Sequence, residues 1–123
     1  METPKIFESE YRFCLLLWEH EPINSTQLTA LCKEKLGWSK ATTYTVLRRL
    51  ADRGVLKNEN ATVTSLVTKQ EVQRSRLTEM VDETFEGSMP AFIAAFAAGK
   101  KISERDLTDI RRMLDEFDKE DAK

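Results

Sequence analysis

The sequence is poor in turn-forming residues and has no long apolar run. Its 123 residues include only 4 Gly and 3 Pro, which leaves little room for the many tight turns of an all-β fold. No apolar stretch approaches the roughly 18 residues that span a bilayer, and the N-terminal METPKIFESEYR lacks an apolar signal core. We therefore predict a cytoplasmic protein that is neither exported nor inserted into a membrane.

Residues that carry catalysis or bind metals are also scarce. The single histidine, His20, lies between Glu19 and Glu21, and no HExxH, CxxC, GxSxG or glycine-rich phosphate loop occurs. Cys14 and Cys32 lie among apolar neighbours, which favours buried structural thiols over a disulfide or a metal pair. Catalysis needs partner groups within hydrogen-bond reach. Because the sequence offers no such set, we predict a protein that is not an enzyme and has neither metal nor cofactor.

Charge is unevenly distributed along the chain, although the net charge is only −2. Residues 1–69 hold ten Lys and Arg against eight Asp and Glu, whereas residues 70–123 hold nine against thirteen. Within 38–57 one anion, Asp52, stands against five cations, namely Lys40, Arg48, Arg49, Arg53 and Lys57. A localised basic footprint of this kind is typical of DNA binding.

The segment 38–56, WSKATTYTVLRRLADRGVL, is predicted to contain the recognition helix of a winged helix-turn-helix. Ser39 can cap its N-terminus, and Gly54 tolerates the left-handed conformation beyond its end. An apolar stripe formed by Val46, Leu47 and Leu50 can face a core. The other face carries groups that contact phosphates and base edges, namely Lys40, Thr42, Thr43, Tyr44, Thr45 and Arg48. An ordinary amphipathic helix with a solvated polar face is an open alternative at this point.

Two further helices are predicted before this segment. Apolar residues recur at helical spacing over 7–20 and about 25–36. Pro22 ends the first helix, and the sequence Asn-Ser-Thr-Gln over 24–27 forms a capping box for the second. With Gly37 in the turn that follows, the layout matches a helix-turn-helix.

A β-hairpin is predicted after the recognition helix. The short segments 55–56 and 62–67 are rich in β-branched residues, which favours strands. The polar stretch 57–61 between them is predicted to be the hairpin tip, or wing. Its single cation, Lys57, is the candidate phosphate contact there, and a plain hairpin that only closes the core is equally open.

The C-terminal half shows three helical patterns and is predicted to dimerise. We place the domain boundary between an N-terminal winged-helix domain at 1–68 and a helical dimerisation domain at 69–123. About 50 residues are too few to bury their own core, so a second copy is the natural partner. A symmetric homodimer would present two recognition helices to successive major grooves roughly 34 Å apart. The predicted interface residues are Phe85, Met89, Phe92, Ile93, Phe96, Leu107, Ile110, Leu114 and Phe117.

An ordered set of residues over nearly the whole chain resembles the penicillinase and methicillin-resistance repressors of the BlaI/MecI type, to which the copper-transport repressors are related. The N-terminal part of the set is Glu10, Trp18, Trp38, Ser39, Thr42, Thr45, Arg49, Leu50 and Gly54. The C-terminal part is Phe96, Ile102, Ser103, Leu107, Arg111 and Leu114. The resemblance implies a mainly α fold with a small β-hairpin, in which a winged helix-turn-helix domain precedes a helical dimerisation domain. It also implies repression of an operon through a palindromic operator.

The resemblance adds residues and a partner to these expectations. Ser39 and Arg49 join the expected DNA contacts. In the β-lactam branch, a membrane metalloprotease receptor leads to cleavage before a phenylalanine that matches Phe96, so Ala95–Phe96 is a candidate scissile bond and a protease a candidate partner. Copper repressors carry a C-terminal cysteine cluster. Because no cysteine follows Cys32 in this sequence, we do not expect a copper-responsive role.

Two functions remain open from the sequence. One is a dimeric repressor that binds double-stranded operator DNA; the other is a winged-helix module for protein–protein contact, which the acidic balance and the weakly basic wing favour. Salt dependence separates them, because Z phosphate contacts give a log–log slope of about −0.9Z. A dimer with a few cations per subunit should therefore show a slope of roughly −4 to −8.

Overall fold

The computed structural model describes residues 3–99 and 101–121 and is mainly helical, as predicted. The helices are α1 (Glu8–His20), α2 (Ser25–Leu36), α3 (Lys40–Asp52), α4 (Lys69–Phe85), α5 (Met89–Gly99) and α6 (Glu104–Asp121). The strands are β1 (Ile23–Asn24), β2 (Leu56–Glu59) and β3 (Thr62–Ser65), which form an antiparallel sheet in the order β1-β3-β2. The chain forms two compact units that divide between Thr78 and Glu79, within α4.

The predicted helix caps at Asn24, Ser39 and Gly37 are confirmed. Asn24 Oδ1 accepts a hydrogen bond of 2.8 Å from the Thr26 N–H at the start of α2. Ser39 Oγ does the same at the start of α3, where the Thr42 N–H lies 3.1 Å away. Gly37 has a φ of 70°, so α2 ends in a left-handed cap that side chains with a Cβ rarely adopt. These local signals fix where the two helices of the helix-turn-helix begin and end.

The core of the first unit is formed by α1, α2, α3 and the sheet. Its fully buried side chains include Phe13, Leu17, Leu28, Leu50 and Val63. The Trp38 ring in the turn before α3 stacks on Phe13, with 6.0 Å between ring centroids. This stack anchors the turn between α2 and α3 to α1.

The two cysteines are buried, as predicted. Burial raises the pKa of the Cys14 thiol to about 12, and the negative charge of Glu10 adds to the effect. Burial also raises the pKa of Cys32 to about 11. Both residues are therefore neutral, unreactive thiols at physiological pH, because the thiolate is the nucleophilic form.

The hairpin differs from the predicted one. Strand β2 continues through Glu59, so the predicted five-residue tip at 57–61 is wrong; only Asn60 and Ala61 form the turn, with φ values of 52° and 60°. Two consecutive positive φ values are typical of the two-residue turns that connect hairpins. The polar sequence suggested a loop, but an exposed edge strand accepts polar side chains while its backbone pairs with β3.

Strand β1 was not predicted. Ile23 pairs with Val63 and Asn24 with Thr62, and the Ser25 N–H donates to the Ala61 carbonyl oxygen at 2.8 Å. A two-residue strand has no periodicity to detect, so only the tertiary structure identifies it.

The first turns of α4 belong to the N-terminal unit. Val72 is buried in its core, and Gln73 Nε2 donates to the Tyr11 hydroxyl at 3.3 Å. The Arg76 guanidinium lies 3.9 Å from the centre of the Tyr11 ring and forms an ion pair with Glu8. The predicted boundary at 68/69 marks the start of α4, whereas the compact units divide later because these contacts tie α4 to α1.

The second unit leaves a large apolar surface exposed. Ser88 Oγ and Ser103 Oγ cap α5 and α6, and each accepts a hydrogen bond from a backbone N–H whose nitrogen lies 3.1 Å away. No side chain of α5 is buried. A groove of about 500 Å³ between α5 and α6 is lined mainly by apolar residues, with Lys101, Asp106 and Asp109 beside them. Exposed large apolar side chains of this unit include Met89, Ile93, Phe96, Leu107, Ile110, Met113, Leu114 and Phe117. Within residues 3–99 and 101–121, none of the helices has the length and apolar character that crossing a membrane requires.

Candidate nucleic-acid interface

Helix α3 buries one side and exposes the other, and one residue that was predicted to be on the exposed side lies on the buried side. Val46, Leu47 and Leu50 face the core, as predicted. Thr43 joins them with no exposed surface, and its hydroxyl donates to the Ser39 carbonyl oxygen at 3.1 Å. Thr43 was predicted to contact DNA and is instead a core residue, because it lies three residues before Val46 and four before Leu47 on the same helical stripe.

The exposed side of α3 carries a lysine and hydroxyl groups near its N-terminus and two arginines further along. Thr42 and Thr45 are exposed near the N-terminus, and Arg48 and Arg49 follow on the third turn. Lys40 is exposed at the start of the helix. The Thr45 hydroxyl donates to the Ala41 carbonyl oxygen at 2.9 Å, and its own oxygen can still accept a hydrogen bond. This surface combines short polar groups with positive charge.

Tyr44 links α3 to α2. It is half-buried, and its hydroxyl donates to Ser25 Oγ at 3.5 Å, at the N-terminus of α2. Hydrogen bonding with Ser25 and then Thr29 lowers the pKa of Tyr44, and the positive charge of Lys40 contributes. The Tyr44 phenol therefore contributes both to the exposed face of α3 and to the contact between α2 and α3.

Arg53, which the sequence places in the basic footprint, faces the N-terminal segment. Its guanidinium forms an ion pair with the buried carboxylate of Glu10 and donates to the Lys5 carbonyl oxygen at 2.7 Å. Burial by itself would raise the pKa of Glu10, but hydrogen bonds from Arg53 and the Phe7 N–H, with the charges of Arg53 and Arg49, lower its pKa overall. Arg53 thus holds the end of α3 against α1.

The hairpin offers one cation and one amide on opposite faces of β2. Lys57 Nζ lies 3.8 Å from a carboxylate oxygen of Glu59, which offsets its charge. Asn58 lines a cleft of about 230 Å³ between α3 and β2, together with Tyr44, Leu47, Arg48 and Ala51. Sequence reasoning missed Asn58, although strand alternation would have placed it opposite Lys57 if β2 had been extended through Glu59.

The predicted interface residues of the second unit lie mostly on its exposed apolar surface. Phe85 and Phe92 are half-buried against each other, with ring centroids 5.8 Å apart. The other seven predicted residues are exposed, and so is Met113, which is not among the predicted residues. Ala95 and Phe96 both lie on α5 with exposed side chains. Among the residues with described side chains, no group of three or more His, Cys, Asp or Glu is placed to hold a metal ion.

Known proteins resemble this chain over both units. The family described as penicillinase repressor matches residues 6–116. A penicillinase repressor of Bacillus licheniformis is 22% identical over 120 residues, which cover 94% of this chain and 93% of that relative.

Solved structures resemble the N-terminal part. The solution structure of the DNA-binding domain of the repressor BlaI has a TM-score of 0.50 and 26% identity, covering 58% of this chain and 93% of that one. Bacillus licheniformis BlaI, solved as a monomer in complex with the blaP half-operator, has a TM-score of 0.51 and 25% identity with the same coverage. The first unit is therefore a winged helix-turn-helix. Because the family match spans most of its length, the chain belongs to the penicillinase repressor family.

Proposed function

We propose that this protein is a cytoplasmic transcriptional repressor that binds a palindromic operator in double-stranded DNA as a homodimer. The observation that carries the proposal is the likeness of its first unit to BlaI solved on a half-operator. The exposed hydroxyl groups and cations of α3 support it, since these groups contact base edges and phosphates.

The proposed DNA contacts follow the exposed side of α3. A recognition helix contacts base edges mainly through its N-terminal residues, which here include Thr42 and Thr45. Arg48 and Arg49, which are exposed on the third turn, are proposed to contact phosphates. The proposed set on and before α3 is Ser39, Lys40, Thr42, Tyr44, Thr45, Arg48 and Arg49. On the wing, the sequence predicted Lys57 as the phosphate contact; this stays a prediction, and Lys57 Nζ lies 3.8 Å from a carboxylate oxygen of Glu59, which offsets its charge.

The exposed apolar surface of the second unit supports a homodimer. Contiguous apolar patches beyond a few hundred Å² mark interaction sites on soluble proteins. Leu114 and Phe117 on α6 are 62% and 66% exposed, although they lie on its apolar face. A second copy would cover this surface and set two recognition helices at a fixed spacing, which a palindromic operator matches.

The direct test is an electrophoretic mobility shift with the duplex that lies upstream of the protein's own gene. We expect a dimer-sized complex that resists competition by random duplex and weakens as salt rises. Equal competition by random duplex would contradict the proposed function.

Replacing Arg48 with alanine should weaken binding to every duplex by a similar factor. Arg48 is exposed on α3, and loss of a phosphate contact lowers the salt slope by about 1 per site, or about 2 per dimer. Fluorescence anisotropy at several salt concentrations measures both effects. Arg12→Ala, on the exposed side of α1, removes the same charge and should leave the slope unchanged. A loss confined to one operator position would assign Arg48 to a base instead.

Cleavage of the Ala95–Phe96 bond is proposed as a means of releasing the operator. The bond lies within α5, so that helix must unwind before a protease can hold the backbone. A chain that ends at Ala95 lacks α6 and should be monomeric in sedimentation experiments. Its operator affinity should fall at least about tenfold, because two unlinked monomers must then bind the two half-sites independently. A truncated chain that binds as tightly as the full chain would exclude cleavage here as a release mechanism.

A further inference from the structure

The cleft between α3 and β2 is built by the register of the hairpin. Asn58 pairs with Val63, and residues directly opposite in an antiparallel pair share a face of the sheet. Val63 is fully buried, and so is Leu56, two residues before Asn58 on the same face. Asn58 therefore extends the core-facing side of β2 beyond the point where the core ends, and it reaches the surface beside α3.

The lining of this cleft combines apolar and polar side chains. Leu47 and Ala51 are its apolar residues, and Tyr44, Arg48 and Asn58 are its polar residues. Arginine offers five N–H donors and a positive charge, and an asparagine amide offers two N–H donors without charge. Lys57 and Glu59 lie on the opposite face of β2, where each offsets the charge of the other.

We propose that this cleft seats a phosphate of the DNA backbone, with Asn58 as the wing's hydrogen-bond donor in place of Lys57. Arg48 supplies the charge from α3, and the Asn58 amide fixes the phosphate from the side of β2. The inference rests on the proposed DNA-binding function and adds the residue through which the wing acts. The inference also explains how a wing with little positive charge can contact DNA, because a neutral amide donates hydrogen bonds to a phosphate without carrying a charge.

The test compares substitutions on the two faces of β2 in the full-length chain. The probes are a fluorescein-labelled duplex from upstream of the gene and a random duplex of equal length, followed by anisotropy at several salt concentrations. Asn58→Ala should lower the affinity for both duplexes by about tenfold for each subunit that contacts the DNA. This is the size of loss expected when one hydrogen bond to a charged group is removed. Its salt slope should stay at the wild-type value, because a neutral donor releases no counterion.

Two matched variants separate this contact from general effects on the hairpin. Asn58→Asp places a carboxylate against the phosphate and should reduce affinity more than Asn58→Ala. Thr62→Asp adds the same charge at an exposed position that pairs with Glu59 on the opposite face, and it should change affinity less than about threefold because exposed charges are screened. Lys57→Ala should have a similarly small effect.

The outcomes distinguish this inference from the proposed function. Suppose that the wild-type protein prefers the upstream duplex and that Asn58→Ala binds it with the same affinity as the wild type. That result would overturn the inference and leave the proposed function standing. A larger loss in Lys57→Ala, or an Asn58→Ala loss for only one duplex, would also overturn the phosphate assignment. Wild-type protein that binds neither duplex would overturn both.

Discussion

Leu114→Asp is expected to convert the protein to monomers at micromolar concentration and to abolish tight operator binding. Leu114 is 62% exposed in the single chain, so the substitution should leave the folding of each subunit intact. In a dimer that covers the apolar surface of α6, the aspartate would be buried without a partner. A buried unpaired charge costs on the order of 3 kcal/mol, and the symmetry of the dimer introduces two. The dissociation constant should therefore rise by about a thousandfold or more.

Sedimentation velocity over a range of concentrations measures this change. Thr108→Asp adds the same charge on the polar side of α6, where Thr108 is exposed, and it should leave the dimer intact. Operator affinity measured in parallel should fall only for Leu114→Asp. A Leu114→Asp protein that sediments as a dimer would show that this side of α6 lies outside the interface.

Arg53→Met is expected to destabilise the first unit by about 3 kcal/mol at neutral pH, the cost of leaving a buried charge unpaired. The Glu10 side chain is only 6% exposed, and Arg53 is its ion-pair partner. For a unit of this size the loss corresponds to a fall in Tm of more than about 10 °C. Both tryptophans, Trp18 and Trp38, lie in this unit, so fluorescence during urea unfolding reports its stability.

The pH dependence of stability from Glu10 should have opposite signs in the two proteins, below the ordinary Glu10 pKa of 4.5 in the wild type and above it in the variant. In the wild type the pKa of Glu10 is lowered below its ordinary value of 4.5, so its contribution is present above that pH and is lost as the pH falls through the lowered value. Without Arg53, burial dominates and raises the pKa of Glu10, so the variant loses stability as the pH rises. The difference in unfolding free energy between the proteins should therefore shrink on acidification.

A double variant separates charge from packing in this pair. Glu10→Gln combined with Arg53→Met leaves no unpaired charge, so it should recover part of the lost stability and show no pH dependence from this site. An Arg53→Met loss below about 0.5 kcal/mol would instead place the pair among weak surface ion pairs.

The sequence by itself determined the features that depend on neighbouring residues. Asn24 and Ser39 cap helices and Gly37 ends one because capping involves residues only two to four positions apart. Apolar periodicity predicted the helices correctly because it, too, relates residues that are only three or four positions apart. The ordered family residues also lie in the linear sequence, and they correctly indicated the penicillinase repressor family and the winged helix-turn-helix.

The tertiary structure decided which side chains on α3 and the wing are available for contact. Arg53 is drawn to Glu10, which lies 43 residues earlier, and Ser65 is bound by Glu21, 44 residues away. The extent of β2 depends on pairing with β3, and that pairing places Asn58 beside Arg48 while Lys57 faces away. Such outcomes depend on strand register and on burial between distant segments, and neither is encoded in the spacing of residues along the chain.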